Sequence, residues 1–451
     1  MPTKGRGVRG SSTPTAGHEG VAPLYKRLPH GPHRLDRKQV ALHQRARIHG
    51  AMVEAVSRSG YEGTSVKQVI GLAGVSRRSF YELFANKQEC FLATFDLLAH
   101  REIQKIRRVY LSTDGDLETR LRAVFETCAA IAREERKASL LVLIDAQTAG
   151  AAGMLRLCRA SSVCEQLLGE CLADTPDADP LPPLVLRGIA GGMHGAISAR
   201  LRRGPITEAQ ELADGLLRWT MSFQSPLVAK MSERLSKRMK TQMREISFAN
   251  SERPTRVPPT EPDQRLRVLQ SVLRLVSRYE QKELTAPQIA DEARVSIDDF
   301  FELFDNKDEC LLAALDMVGD ELVSIAGDSG LEGSEWPQAV RRTLAAMLEH
   351  LARNPLHARA LVQDAYNAGT RAFERNMELA ERIGQLLSRR APEQPTGGLA
   401  GDAVAGALWH VVRYQVMDGR TQLLPALSDH LSYVVLAPFM GADAAAELLS
   451  S

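Results

Sequence analysis

Arg77, Arg78, Ser79 and Tyr81 stand together directly behind Ala73-Gly74-Val75-Ser76. Guanidinium groups present a planar fork of donors that matches guanine O6 and N7, and hydroxyls meet phosphate oxygens. Ser65, Lys67, Ser76 and Lys87 add further donors within the same short stretch. Lys87 falls at a predicted helix start, where peptide N–H groups already favour an anion. The chemistry these residues offer is non-covalent recognition of double-stranded DNA. No covalent chemistry competes with it: the chain has no Gly-x-Ser-x-Gly elbow, no His-Glu-x-x-His pair and no nucleotide fingerprint. The chain therefore reads as a binding protein and not an enzyme, with neither cofactor nor metal.

Such donors must be held by a scaffold, and the surrounding sequence writes one. Val40, Ile48, Met52, Val53 and Val56 predict a first helix that stops at Ser59-Gly60. Ser65-x-x-Gln68 is a capping box for a short second helix. Gly74 supplies the left-handed residue that ends it. Ser76 then caps a third helix from Arg77 to about Leu83, and Asn86-x-x-Glu89 caps a long fourth. Two short helices around a tight glycine turn, with arginines opening the second, form a helix-turn-helix whose recognition helix enters the major groove N-terminus first.

The string Thr64-Ser65-Val66 … Ala73-Gly74-Val75-Ser76-Arg77-Arg78-Ser79-Phe80-Tyr81-Glu82-Leu83-Phe84-Ala85-Asn86-Lys87-Gln88-Glu89 resembles the tetracycline-repressor (TetR) family of bacterial regulators. The resemblance is specific over roughly residues 40–98. It implies an all-helical body that dimerises through two C-terminal helices and often holds a small-molecule inducer pocket. It also implies that Ser65, Ser76, Arg77, Arg78, Ser79, Tyr81 and Lys87 occupy DNA-contact positions.

The pattern occurs a second time. Residues 63–96 match 283–316 without a gap at 15 of 34 positions, and Asp145-Ala146-Gln147-Thr148-Ala149-Gly150 is answered by Asp364-Ala365-Tyr366-Asn367-Ala368-Gly369. The expected organisation is all-α and tandem. A basic arm (1–36) precedes a first head (37–98) and body (99–227). A basic helical extension and Pro-rich linker (228–262) then leads to a second head (263–318) and body (319–451). The second head departs where recognition is decided: Arg77-Arg78-Ser79 becomes Ile297-Asp298-Asp299, Tyr81 becomes Phe301, and the turn glycine becomes Arg294. Residues 38–98 hold eight basic and five acidic residues, whereas 258–318 hold seven basic and thirteen acidic. An acidic recognition helix is repelled by phosphates and forfeits counterion release. The second head is expected not to bind DNA, with Lys307 left at most a loose phosphate contact.

Bulk properties agree with a regulator. The 451 residues are 44% hydrophobic and 25% charged with a net charge of +2. They show no run of apolar residues long enough to span a membrane and no secretory leader, so a cytoplasmic protein is expected. The arm is rich in Lys and Arg, and Arg34, Arg37 and Lys38 are placed to follow a groove or backbone. A flexible solubilising tail accounts for the same composition. Gly188, Gly191, Gly192 and Gly195 lie in an apolar helix whose counterpart carries Trp409 and Tyr414, which suggests complementary faces. The two bodies would then pair within one chain or between chains, leaving a homodimer open. His194 and His410 read as satisfied core or interface residues, and Cys158, Cys164 and Cys171 as small buried hydrophobes. The competing function is an interaction protein whose acidic second head binds a basic partner.

Overall fold

The computed structural model describes residues 37–173, 181–225, 227–249, 263–279, 283–328, 335–389, 391 and 399–450. The proposed arm with Arg34, and the Pro-rich stretch 250–262, lie outside them. The described residues are helical with no strand among them, so the expected all-α class is met.

The first head comprises α1 (Arg37–Gly63), α2 (Val66–Ala73), α3 (Arg77–Leu83) and the start of α4 (Lys87–Ser112). The punctuation works as the residue types dictate. Gly60 takes φ 66 and ψ 173 and breaks α1 near its end. The Ser65–Gln68 capping box closes in both directions, and Gly74 adopts the left-handed conformation at φ 58. Asn86 accepts from the Glu89 N–H while Glu89 accepts from Ala85 N at 2.6 Å. Ile48, Met52, Val69, Phe80, Phe84, Phe91 and Phe95 form the buried core under these helices.

The first body adds α5 (Leu117–Glu134), α6 (Arg136–Leu140), a π-helical turn (Leu141–Asp145), α7 (Ala146–Thr148), α8 (Gly150–Ala173), α9 (Pro183–Arg203) and α10 (Ala209–Met221). Next comes α11 (Val228–Ala249), the basic extension. It is no exposed spacer: Val228, Met231 and Leu235 are buried, and Arg238 pairs with Asp429 at 3.1 Å. Its hydrophobic stripe carries α11 onto the far half of the chain.

The same order then recurs. α12 (Gln264–Val276), α13 (Ala286–Ala293), α14 (Ile297–Leu303) and α15 (Lys307–Asp328) precede α16 (Trp336–Arg353) and α17 (Pro355–Arg359). A second π-helical turn (Ala360–Asp364) leads to α18 (Ala365–Asn367), α19 (Thr370–Ser388) and α20 (Ala400–Met417). A 3₁₀ segment (Thr421–Leu427), α21 (Ser428–Met440) and α22 (Ala442–Ser450) complete the described chain. Thr421–Met440 is long and apolar enough to cross a membrane, but 72% of its most apolar 18-residue window is buried inside the fold.

The halves meet where α9 crosses α20. A Cβ on Gly195 would stand 2.6 Å from Gly406 Cα, and one on Gly191 2.5 Å from His410 Cβ. Backbone therefore packs on backbone, with glycine opposite glycine. The expected fit of glycines against Trp409 and Tyr414 is corrected: Gly192 faces Trp219 of its own half, Trp409 is buried, and Tyr414 is covered by Arg187 at 3.5 Å. Arg203 grips Asp402 through two 2.7 Å hydrogen bonds, and Arg202 pairs with Glu381. His410 Nε2 lies 3.0 Å from Glu165, so it is an interface histidine with a partner. Tyr366 and Phe373, from the second half, complete the first head's core, and Arg413 donates to the Tyr366 hydroxyl.

Candidate nucleic-acid interface

The third helix is built from its own cap outward. Ser76 accepts the Ser79 N–H at 3.0 Å, and Phe80 is fully buried beneath the helix. That anchor turns Arg77, Arg78 and Tyr81 outward, where all three are exposed, with Ser79 half-buried beside them. The Arg77 guanidinium lies 5.6 Å from the Tyr81 ring centre. Arg78 pairs with Glu82 at 2.8 Å on the open surface, where water screens the contact. It is therefore cheaply exchanged for a phosphate or a base. Ser65 and Lys67, exposed at the start of α2, join the same structural unit. Lys38 is exposed on α1, and Arg37 opens that helix.

Lys87 opens α4, as its motif suggested, and its side chain turns back onto the end of α1. Its ammonium donates to the carbonyls of Tyr61 at 2.9 Å and Glu62 at 3.3 Å and lies 4.3 Å from the Tyr61 ring centre. It ties the end of α1 to the start of α4. Lys307 does the corresponding work in the second head, donating to Leu284 O at 2.7 Å. The lysine present in both heads thus makes the same kind of contact with the preceding backbone. Arg47, not singled out in the sequence, reaches from α1 to the carbonyls of Ala73 and Gly74, the latter at 2.8 Å, and so pins the turn before α3. Its only sequence signal was a basic residue on the first helix.

The second head has the same skeleton and another surface. Arg294 occupies the left-handed position at φ 55, which for a non-glycine residue costs roughly 1–2 kcal/mol. Ser296 and Asp299 close a reciprocal capping box, so one of the introduced acids stabilises α14. The exposed face presents Ile297, Asp298, Phe301 and Glu302 where α3 presents arginines and tyrosine. Arg45 over Phe84 at 5.3 Å and Arg265 over Phe304 at 5.4 Å show how closely the underlying packing agrees.

A cavity of about 410 Å³ opens in the first body among α4, α5, α8 and α9. Its wall is mostly apolar, interrupted by Glu102, Arg107, Cys164 and His194. Burial pushes the Glu102 carboxyl up to about 7 and the His194 imidazole down to about 3. Cys164 is exposed, facing this space, which corrects the expectation of three uniformly buried thiols; Cys158 and Cys171 are half-buried. The comparable space in the second body, lined by Leu322, Leu344, Trp409 and Val412, has shrunk to about 30 Å³.

Residues 50–94 match the family described as bacterial regulatory proteins, tetR family. A search of curated proteins finds no match. Among solved structures, the fatty acid degradation regulator FadR from Bacillus halodurans aligns at 18% identity and a TM-score of 0.36, over 39% of this chain and 96% of that one. The transcriptional regulator FadR from Bacillus subtilis, in complex with stearoyl-CoA, aligns at 14% identity and the same TM-score and coverages. The matched span runs from within α1 through α2 and α3 into α4, and so lies in the first helix-turn-helix.

Proposed function

We propose that the protein is a transcriptional regulator, acting as a repressor, whose first head reads DNA and whose second head does not. The observation that carries this is the contrast of two recognition helices on matching scaffolds. One exposes Arg77, Arg78 and Tyr81, and the other exposes Ile297, Asp298 and Phe301. The two halves are read as tandem head-and-body units with the boundaries given above. Their bodies pair within the chain through α9 and α20, which leaves each chain one working head and makes a half-site its natural footprint.

The cavity of the first body is the candidate sensor. Its volume lies in the usual range for small-ligand sites, and its lining suits an apolar molecule with one polar group near Glu102. The second body, nearly solid, would serve as the paired partner.

The test is DNA selection from random duplexes followed by binding at several salt concentrations. Arg77→Ala with Arg78→Ala should weaken specific binding by about 2–6 kcal/mol, taking about 1–3 kcal/mol per base-reading arginine. Asp298→Ala with Asp299→Ala should leave affinity unchanged. If the acidic pair alone abolishes binding, the assignment of the heads is wrong. Selection of no sequence would favour a protein-interaction role for the acidic head.

A further inference from the structure

Three side chains of the second body converge without any motif in the sequence to announce them. Glu321 comes from α15, His350 from the last turn of α16, and His357 from α17. The two histidines are brought together by a helix break. Asn354 precedes Pro355, and a residue before proline is driven out of the helical region. Asn354 takes φ −121 and ψ 72, its side chain donates to His350 O at 2.9 Å, and α17 restarts at Pro355.

His350 Nε2 lies 3.1 Å and His357 Nδ1 3.2 Å from the same atom, Glu321 Oε2. All three atoms lie within 4.8 Å of one another. These three atoms are themselves shielded from solvent, although the residues are only partly buried. Both nitrogens thus converge on one carboxylate oxygen. Around a tetrahedral ion with bonds of about 2.0–2.1 Å, neighbouring ligand atoms are separated by about 3.3 Å. The two measured separations are near that edge.

The first body offers an internal control. α4 and α15 run in register from Lys87 and Lys307, so Glu321 stands where Arg101 stands. There Arg101 pairs directly with Glu135, the residue at the joint of α5 and α6. In the second body the carboxylate has moved to the long helix and the joint offers imidazoles. The arginine–carboxylate pair of the first body is replaced in the second by a carboxylate facing two imidazoles, groups that can bind a metal ion through their ring nitrogens.

We infer that Glu321, His350 and His357 form a binding site for a divalent transition metal of the zinc class, clamping α15 to the α16–α17 joint. Two imidazoles and one carboxylate are a donor set that suits zinc, with a water as fourth ligand. The Glu321 side chain is 38% exposed, which gives the ion and that water a way in.

The experiment uses the full chain stripped with chelator and titrated with Zn²⁺ by calorimetry, then with Co²⁺ followed by its visible ligand-field bands. One high-affinity equivalent is expected, with the intense bands of four-coordinate Co²⁺. His350→Ala, His357→Ala or Glu321→Gln should each weaken binding by at least about tenfold, since even outer-shell losses cost about 10–100-fold. His357→Cys should retain the ion and add a sulfur-to-cobalt charge-transfer band, a result that a purely structural histidine would not give. Arg101→Ala, altering the corresponding place in the first body, should leave the titration unchanged. Circular dichroism of each metal-free variant checks that it is folded. Absence of a bound equivalent in the native chain overturns the inference, as does unchanged binding in the folded His350→Ala/His357→Ala variant.

Discussion

Gly195→Ala isolates the contact that joins the two halves. A single methyl group is added to α9, a change that in an open helix is favourable by about 1 kcal/mol because alanine is the better helix former. Here the new carbon would lie 2.6 Å from Gly406 Cα, 2.9 Å from Asp402 O and 3.1 Å from Gly406 N. All three neighbours are main-chain atoms of α20, so no side chain can swing aside. Relief requires the helices to separate, which also stretches the Arg203–Asp402 pair at the same crossing. Overpacking of this kind costs about 1–3 kcal/mol. With rigid walls the upper value applies, leaving a net destabilisation of about 2 kcal/mol once the about 1 kcal/mol propensity gain is subtracted. Urea unfolding followed by tryptophan fluorescence is the assay, because Trp219, Trp336 and Trp409 are all buried in the bodies. Gly327→Ala, with nothing within 4 Å of the added carbon, serves as the control and should be neutral to stabilising by up to about 1 kcal/mol. A Gly195→Ala protein as stable as the native one would refute the close crossing of α9 on α20.

Other expectations concern titration, architecture and the cavity. Burial, with Arg45 nearby, holds the His49 imidazole down at about 4 against an ordinary 6.5. The folded chain then binds that proton later than the unfolded chain, so stability falls as pH drops through that interval, by about 3 kcal/mol in all. His49→Gln should flatten this component of a stability–pH curve and keep a side-chain partner for Thr94. Glu102, raised to about 7 from 4.5, acts oppositely: the folded form holds its proton longer, and stability falls as pH rises across that interval. Glu102→Gln should remove that slope and be the more stable protein at pH 8. Lys87→Ala should destabilise the protein by about 1.5–3 kcal/mol for a lost charged hydrogen bond, read as a lower melting temperature, before any effect on DNA is counted. Cys164→Trp should fill part of the cavity and reduce binding of an apolar fluorescent dye, with unchanged dye binding placing the sensor elsewhere.

The head was legible because its signals are local. Capping at Ser65, Ser76 and Asn86 and the turn at Gly74 each depend on residues within about four positions, and each has the expected geometry. What escaped was set by distance along the chain. The contact of Lys87 with Tyr61, the Arg47 grip on the turn and the meeting of Gly195 with Gly406 are tertiary facts. The small residues of α9 announced close packing, yet nothing local identified α20's own glycine as their counterpart. The Glu321–His350–His357 cluster was hidden for the same reason, compounded by a helix break that changes which residues share a face. The cavity could not be read because Cys164, Glu102 and His194 come from three different helices.

A crossing of α9 on α20 inside one polypeptide has an evolutionary consequence. In a two-fold homodimer every substitution is made twice, and a residue on the axis meets its own copy. Here Gly195 and Gly406 are encoded separately, as are Arg77 and Ile297. One half can lose a binding surface or close a cavity while the other keeps both, and selection sees the two changes one at a time. Internal pseudo-symmetry of this kind permits a division of labour that true symmetry forbids.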